Sequence, residues 1–165
     1  MTTRENVMAA FAGESQANRK YAAFSEKAQE EGFRNVALLF KAASEAEAIH
    51  AKRLLQASGG IAATQENLVK SIGGETHEYE VMYPAFLTEA LKEGDRVAEL
   101  VFTHAMKAEA VHARLYKKAL EVLRTGKDID GKIYLCPVCG NIEIGTVPKT
   151  CPICNVPGNL FRLIE

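Results

Sequence analysis

Four cysteines carry the most specific chemical signal in the chain. Cys136-Pro137-Val138-Cys139 and Cys151-Pro152-Ile153-Cys154 are two C-P-x-C knuckles with eleven residues between them. Four thiolates at that spacing make a tetrahedral S4 site suited to iron or zinc, and spacing alone does not choose between the two. Each knuckle needs a turn that aims backbone N–H groups at sulfur. Gly140 and Asn155, the residues that follow the two knuckles, both tolerate the left-handed conformation of such a turn. No cysteine precedes position 136. In a reducing compartment such a cluster reads as a metal site rather than as two disulfides.

The second constellation is built of carboxylates and imidazoles. Ala46-Glu47-Ala48-Ile49-His50-Ala51-Lys52 recurs as Ala108-Glu109-Ala110-Val111-His112-Ala113-Arg114. Around this core, Phe40, Ala43, Glu47, His50 and Leu54 align with Phe102, Ala105, Glu109, His112 and Tyr116. The steps follow one helix face, the apolar face that should be buried. Glu14 lies on the stripe of Val7, Phe11 and Tyr21, and Glu75 and Glu78 lie on that of Leu68, Ile72, Met82 and Phe86. Burying an unpaired carboxylate costs several kcal/mol, about as much as a domain can spare, so five of them need a shared cation. One Glu from each of two helices plus Glu-x-x-His from two others is the pattern of di-iron and di-manganese bundles. A single Glu-x-x-His is usually a solvated pair; two copies in a repeat, both on apolar stripes, point to metal. Glu78 has no counterpart after Glu14, where Ala17 stands, so the two metal positions are inequivalent. His77 and His104 have no repeat partner and read as peripheral. Tyr21 and Tyr83 lie on the Glu14 and Glu75 faces, where a hydroxyl can bond a ligating carboxylate or simply pack in the core.

The elements that must position these groups follow from the stop signals. Gly32, Gly59-Gly60, Gly94 and Gly126 divide residues 1–126 into four helical stretches, 3–31, 34–58, 65–93 and 95–125. Pro84 is expected to kink the third. Four long helices with mostly short connections predict an antiparallel bundle, here a duplicated helix pair. After a polar linker at 127–131, residues 132–165 turn to Gly, Pro, Cys and β-formers, the composition of a small metal-knuckle module of strands and turns.

With 165 residues, 47% hydrophobic and 25% charged, the chain has an ordinary globular composition. A net charge of −1 argues against non-specific nucleic-acid binding. No apolar run approaches the ~18 residues of a membrane helix. The charged start, Thr2-Thr3-Arg4-Glu5-Asn6, does not read as a signal peptide, and the expected compartment is the cytoplasm.

Taken together, the motifs resemble the rubrerythrin family over essentially the whole chain. Gly13-Glu14-Ser15-Gln16, Glu47-Ala48-Ile49-His50, Gly74-Glu75-Thr76-His77-Glu78 with Met82-Tyr83-Pro84, and Glu109-Ala110-Val111-His112 carry the likeness, together with both cysteine knuckles. The resemblance implies a mainly α fold: a ferritin-like four-helix di-iron bundle over 1–126 and a rubredoxin-like domain over 132–165. It implies two irons held by Glu14, Glu47, His50, Glu75, Glu78, Glu109 and His112, with Tyr21 and Tyr83 beside them. It implies one more iron on Cys136, Cys139, Cys151 and Cys154, where zinc can substitute. The implied activity is reduction of hydrogen peroxide to water in defence against oxidative stress. Electrons would pass through the rubredoxin-like iron from an external donor, a rubredoxin or a flavin- or nicotinamide-dependent reductase. The short connection at 57–66 and Asn155 in place of the usual glycine depart from the family pattern.

A ferroxidase or iron-handling role would use the same bundle but has no need of the cysteine module. A bundle carrying a purely structural zinc ribbon would leave the buried carboxylates unexplained. The expected route of the electrons comes from helix length. Some thirteen helical residues follow His112, about 20 Å at ~1.5 Å per residue. The S4 module is thus expected to hang beyond its own bundle, and a head-to-tail homodimer is expected to carry electrons between chains.

Overall fold

The computed structural model describes residues 2–165. Met1, the first residue of the expected bundle, lies outside them. The described chain forms two compact units, Met1–Ala62 and Ala63–Glu165. The boundary falls between the two halves of the repeat.

The first unit is a helical hairpin. A capping box starts α1 (Thr3–Glu30): the Glu5 N–H donates to the Thr2 hydroxyl at 3.3 Å, and the Thr2 N–H donates to the Glu5 carboxylate at 2.6 Å. Gly32, at φ 85°, turns the chain into α2 (Arg34–Ala57). The two helices run antiparallel and approach closely because the residues between them are small: Ala28, Ala37, Ser44 and Ala51 are buried. Ser44 is also a polar lock. Its hydroxyl donates to the Asn18 carbonyl at 2.8 Å, while the Asn18 amide donates to the Ser44 carbonyl at 2.7 Å and to its hydroxyl at 3.0 Å. Tyr21, Phe24 and Phe40 form an aromatic trio with centroids 5.6 to 6.3 Å apart.

The second unit repeats this hairpin with one change. Its first arm is α3 (Thr64–His77), a π-helical turn at Glu78–Met82, and α4 (Tyr83–Glu93). Its second arm is α5 (Arg96–Arg124), capped by Asp95, whose carboxylate accepts the N–H groups of Val97 and Ala98. Tyr83, Phe86 and Phe102 reproduce the aromatic trio, with centroids 5.6 to 6.2 Å apart. The expected single helix over 65–93 is therefore interrupted. The irregularity lies just ahead of Pro84, whose ring cannot accept an α-helical turn behind it. In the widened turn the Tyr83 N–H donates to the Glu78 carbonyl.

After Gly126 the chain reverses and lies back along α5. A three-stranded antiparallel sheet, ordered β2-β1-β3, is made by β1 (Ile133–Leu135), β2 (Ile142–Ile144) and β3 (Arg162–Leu163). Its core is Cys136, Cys139, Cys151 and Ile153, and Ala108 and Val111 of α5 pack against it. The expectation that this module hangs beyond the bundle is corrected here. α5 does run on past His112, but the linker doubles back and returns the cysteines to the level of Ala108. Gly158 is required in the module, because a Cβ there would collide with the Pro148 carbonyl.

The Asn18–Ser44 lock gives a stability prediction. Ser44→Ala breaks a reciprocal pair inside a tight interface and should cost about 1–3 kcal/mol in urea denaturation. Lys27→Ala removes only exposed ion pairs with Glu30 and Glu31 and should cost under about 1 kcal/mol. Equal costs for the two would contradict the assignment.

Candidate metal centres

Each hairpin gathers one carboxylate–imidazole cluster. In the first unit the ligand atoms of Glu14, Glu47 and His50 lie within 4.8 Å of one another, and in the second those of Glu75, Glu109 and His112 do the same. The i,i+3 spacing on α2 and α5 sets each histidine over its glutamate. His50 Nδ1 is 2.8 Å from Glu47 Oε2, and His112 Nδ1 is 2.6 Å from Glu109 Oε2. The third carboxylate of each cluster comes from the opposite arm of the same hairpin.

The two clusters differ in cover. The His50 side chain is 56% exposed and that of His112 16%. The cysteine module reaches His112, where the Gly140 carbonyl accepts a hydrogen bond from Nε2 at 2.9 Å. A carbonyl can only accept, so Nε2 carries the proton. In a neutral imidazole Nδ1 is then a bare lone pair facing a carboxylate oxygen. Two acceptors at that separation require a cation between them, a proton or a metal ion. This fits the donor set of a metal centre.

The carboxyls show the same strain. Burial, with Glu109 beside it, pushes Glu75 up to about 7. Glu109 is held below the usual carboxylate range by its hydrogen bond to His112, and His112 is raised by the same bond. In the first unit a bond to Glu47 raises Glu14, and bonds to Glu14 and then His50 lower Glu47. In each cluster one carboxyl is thus pushed toward its protonated form and its neighbour away from it, and a divalent cation would take the place of the shared proton.

The offset between the repeats explains Glu78. Glu14 and Glu75 are 61 positions apart, whereas Tyr21 and Tyr83, Phe24 and Phe86, and Glu47 and Glu109 are 62 apart. The extra residue falls within 76–82, and the π-helical turn absorbs it. Glu78 opens that turn. It stands outside the Glu75–Glu109–His112 triad but feels the charges of Glu109, His77 and His112, and burial raises its carboxyl. Tyr83 is raised by burial and by Glu109, Glu78 and Glu75. Tyr21 and Tyr83 both belong to the aromatic trios; among the described residues neither hydroxyl bonds a carboxylate. His104 joins no cluster among the described residues. Two participants escaped the sequence reading. Tyr116, read only as an apolar position, is raised by burial and by Glu75 and Glu109. Its signal was the break in the repeat, where Leu54 stands in the first half. The Gly140 carbonyl, a backbone group, has no signal in residue type.

The four cysteines converge as expected. Cys136 and Cys154 sulfurs are 3.6 Å apart, and those of Cys139 and Cys151 are 3.5 Å apart. A tetrahedral ion with metal–sulfur bonds of ~2.3 Å needs sulfur separations near about 3.8 Å, so a small expansion admits one. Gly140 and Asn155 take φ 79° and 62°, the left-handed turns the knuckles require. Burial acts to raise Cys136, but the N–H groups of Cys139 and Val138 outweigh it and lower the thiol. Burial pushes Cys139 and Cys154 up. Four clustered thiols cannot all ionise without a cation to balance them.

Comparison with known proteins agrees with this chemistry. Residues 5–120 match the Rubrerythrin family, and residues 134–162 match the family described as the rubredoxin-like domain of rubrerythrin. The chain is 34% identical to rubrerythrin-2 of Clostridium acetobutylicum, covering 97% of this chain and 95% of that one. It is 37% identical to nigerythrin of Nitratidesulfovibrio vulgaris, covering 97% and 85%. Among solved structures it is similar to the partially reduced state of nigerythrin, with 37% identity, a TM-score of 0.61, and coverage of 99% and 87%. A fully reduced, all-ferrous nigerythrin scores 0.58. The fold class is therefore ferritin-like helices followed by a rubredoxin-like module, with the carboxylate–histidine and four-cysteine donor sets for iron.

The carboxyl shifts predict a pH dependence. Glu75 and His112 hold protons more tightly folded than unfolded. Their stabilising contribution is full below about pH 4.5 for Glu75 and is lost as pH rises through about 7. In chelator, the melting temperature should fall from about pH 5 to pH 8, and Glu75→Gln should flatten that slope. Parallel slopes in the two proteins would contradict the assignment.

Proposed function

The chain belongs to the rubrerythrin family, and from that premise we propose that it is a cytoplasmic, homodimeric peroxidase that reduces hydrogen peroxide to water. The balance is one peroxide, two electrons and two protons giving two waters, with the electrons drawn from an external rubredoxin or a flavin- or nicotinamide-dependent reductase. When bound, iron ions at the carboxylate–histidine donors supply electrons to the O–O bond, and a further iron at the four cysteines replenishes them.

Glu14, Glu47, His50, Glu75, Glu78, Glu109 and His112 would hold the first two ions, and Cys136, Cys139, Cys151 and Cys154 the third. Glu47 and Glu109 are the central carboxylates, each bonded to its own histidine and facing a glutamate of the opposite arm. Glu78 is the extra carboxylate, beside the Glu75 triad and raised by burial. Tyr83 and Tyr116 are partly buried phenols near Glu75 and Glu109, both raised by burial and by those carboxylates.

The observation that carries the peroxidase reading is the contact between Gly140 and His112. It ties the cysteine module to a donor of the carboxylate–histidine set, which an iron-storing protein has no use for. It also replaces the cross-chain electron route expected from helix length, because one peptide group with a hydrogen bond at each end already joins Cys139 and His112 of one chain. A homodimer is not needed to bring them together.

Two experiments follow. The iron-loaded protein should consume hydrogen peroxide in step with donor oxidation, and Glu109→Ala should lose that turnover while keeping the colour of its cysteine site. Iron oxidation with release of the iron and no donor-coupled turnover would instead favour the ferroxidase reading. In the second, Cys139→Ser and Glu109→Ala chains are mixed into verified heterodimers. Both lesions lie in the same Ala63–Glu165 unit, so such dimers should recover no donor-dependent activity. Substantial recovery would restore the cross-chain route.

A further inference from the structure

Asn141 has no exposed surface at all. Its side-chain amide donates to Glu143 Oε1 at 2.9 Å, and its Oδ1 is buried with no partner among the described residues. An apolar side chain of similar size would avoid that cost, so the residue demands a reason. Asn141 belongs to neither donor set and stands two residues after the first knuckle.

Its backbone supplies the reason. The Asn141 N–H points at the Cys139 sulfur, and its carbonyl accepts the Cys136 N–H at 2.8 Å. The other end of the same peptide group is the Gly140 carbonyl, which accepts from His112 Nε2. A trans peptide is planar, and its N–H and C=O point in opposite directions. One amide therefore spans the gap between a cysteine of the S4 site and a histidine of the carboxylate cluster. Turning that amide would break both bonds together. Gly140 cannot resist such a turn by itself, because it lacks a side chain and sits at φ 79°. The buried, tethered side chain next to it can.

We propose that Asn141 is a positioning residue: its side chain, anchored to Glu143 on β2, fixes the Gly140–Asn141 amide so that one rigid peptide group joins the Cys139 sulfur to the His112 imidazole. The proposal rests on the reading of the four cysteines as an iron site. It makes the charge on the thiolates and the orientation of the imidazole mutually dependent, through hydrogen bonds to sulfur of the kind that tune iron–thiolate potentials. The N–H bond to sulfur favours the more negative, reduced site. Loosening the amide should therefore shift the ferrous-to-ferric ratio at a given potential about tenfold toward ferric, or about 59 mV for one electron.

The test uses the full-length chain loaded with iron, compared with Asn141→Ala, Glu143→Ala and Glu143→Gln. Redox titration of the visible ferric-thiolate band reads the potential. Proton NMR of the zinc-loaded chain reads the His112 Nε2–H. Asn141→Ala and Glu143→Ala should lower the potential and weaken or shift the His112 signal, while Glu143→Gln, which keeps an acceptor for the Asn141 amide, should retain both. If Asn141→Ala does not fold, Glu143→Ala decides, since Glu143 is only partly buried. Unchanged potential and an unchanged His112 signal in Glu143→Ala overturn the proposal, as does a shift in one without the other. A chain that takes up iron without a ferric-thiolate band refutes the iron reading itself, a failure distinct from an intact band that the substitutions leave unmoved.

Discussion

The imidazole of His112 is held from both sides. On one side a backbone carbonyl, able only to accept, fixes the proton on Nε2. On the other, a carboxylate oxygen 2.6 Å away faces the bare Nδ1. An arrangement that sets two acceptors together is stable only with a cation between them. Much of the second unit follows from meeting that demand. α5 places Glu109 one turn before His112, the opposite arm supplies Glu75, and the linker folds back so that Gly140 reaches the ring. The same contact brings the cysteine core against Ala108 and Val111. The two donor sets thereby meet at one side chain.

The duplicated hairpin shows what is common to the two halves and what is special to one. Both have an aromatic trio and a carboxylate–histidine triad. Only the second has the π-helical turn, Glu78, Tyr116 and a module covering its histidine. The inserted residue at the turn is a local irregularity that adds a carboxylate without disturbing the trio behind it. A regular α-helix would have had to move either Glu75 or Tyr83 around the helix axis by about 100°, since one residue turns a helix by that angle.

Much of this was legible in the sequence because it rests on periodicity. Glu47, His50, Glu109 and His112 fall on apolar stripes, and a stripe fixes direction as well as burial. Gly32 and Gly94 marked the helix ends, and the knuckle turns at Gly140 and Asn155 followed from their tolerance of positive φ. The π-helical turn was written in the change of repeat offset from 61 to 62, but Pro84 next to it suggested a simple kink. The return of the cysteine module was not legible. Helix length fixes how far α5 runs, whereas the direction of the chain after Gly126 depends on tertiary packing of Val111 and Ala108. The Gly140 carbonyl was invisible for a plainer reason: every residue has one, and only the fold selects which of them meets a histidine.

The proposed function requires the two donor sets to be iron sites of one electron-transfer unit. Iron analysis combined with Mössbauer spectroscopy of the anaerobically loaded chain tests it most directly. Three irons per chain are expected, one in a tetrahedral all-thiolate environment and two in oxygen- and nitrogen-rich environments. A chain that holds one metal at its cysteines and leaves the carboxylate–histidine clusters empty in excess ferrous iron would contradict it.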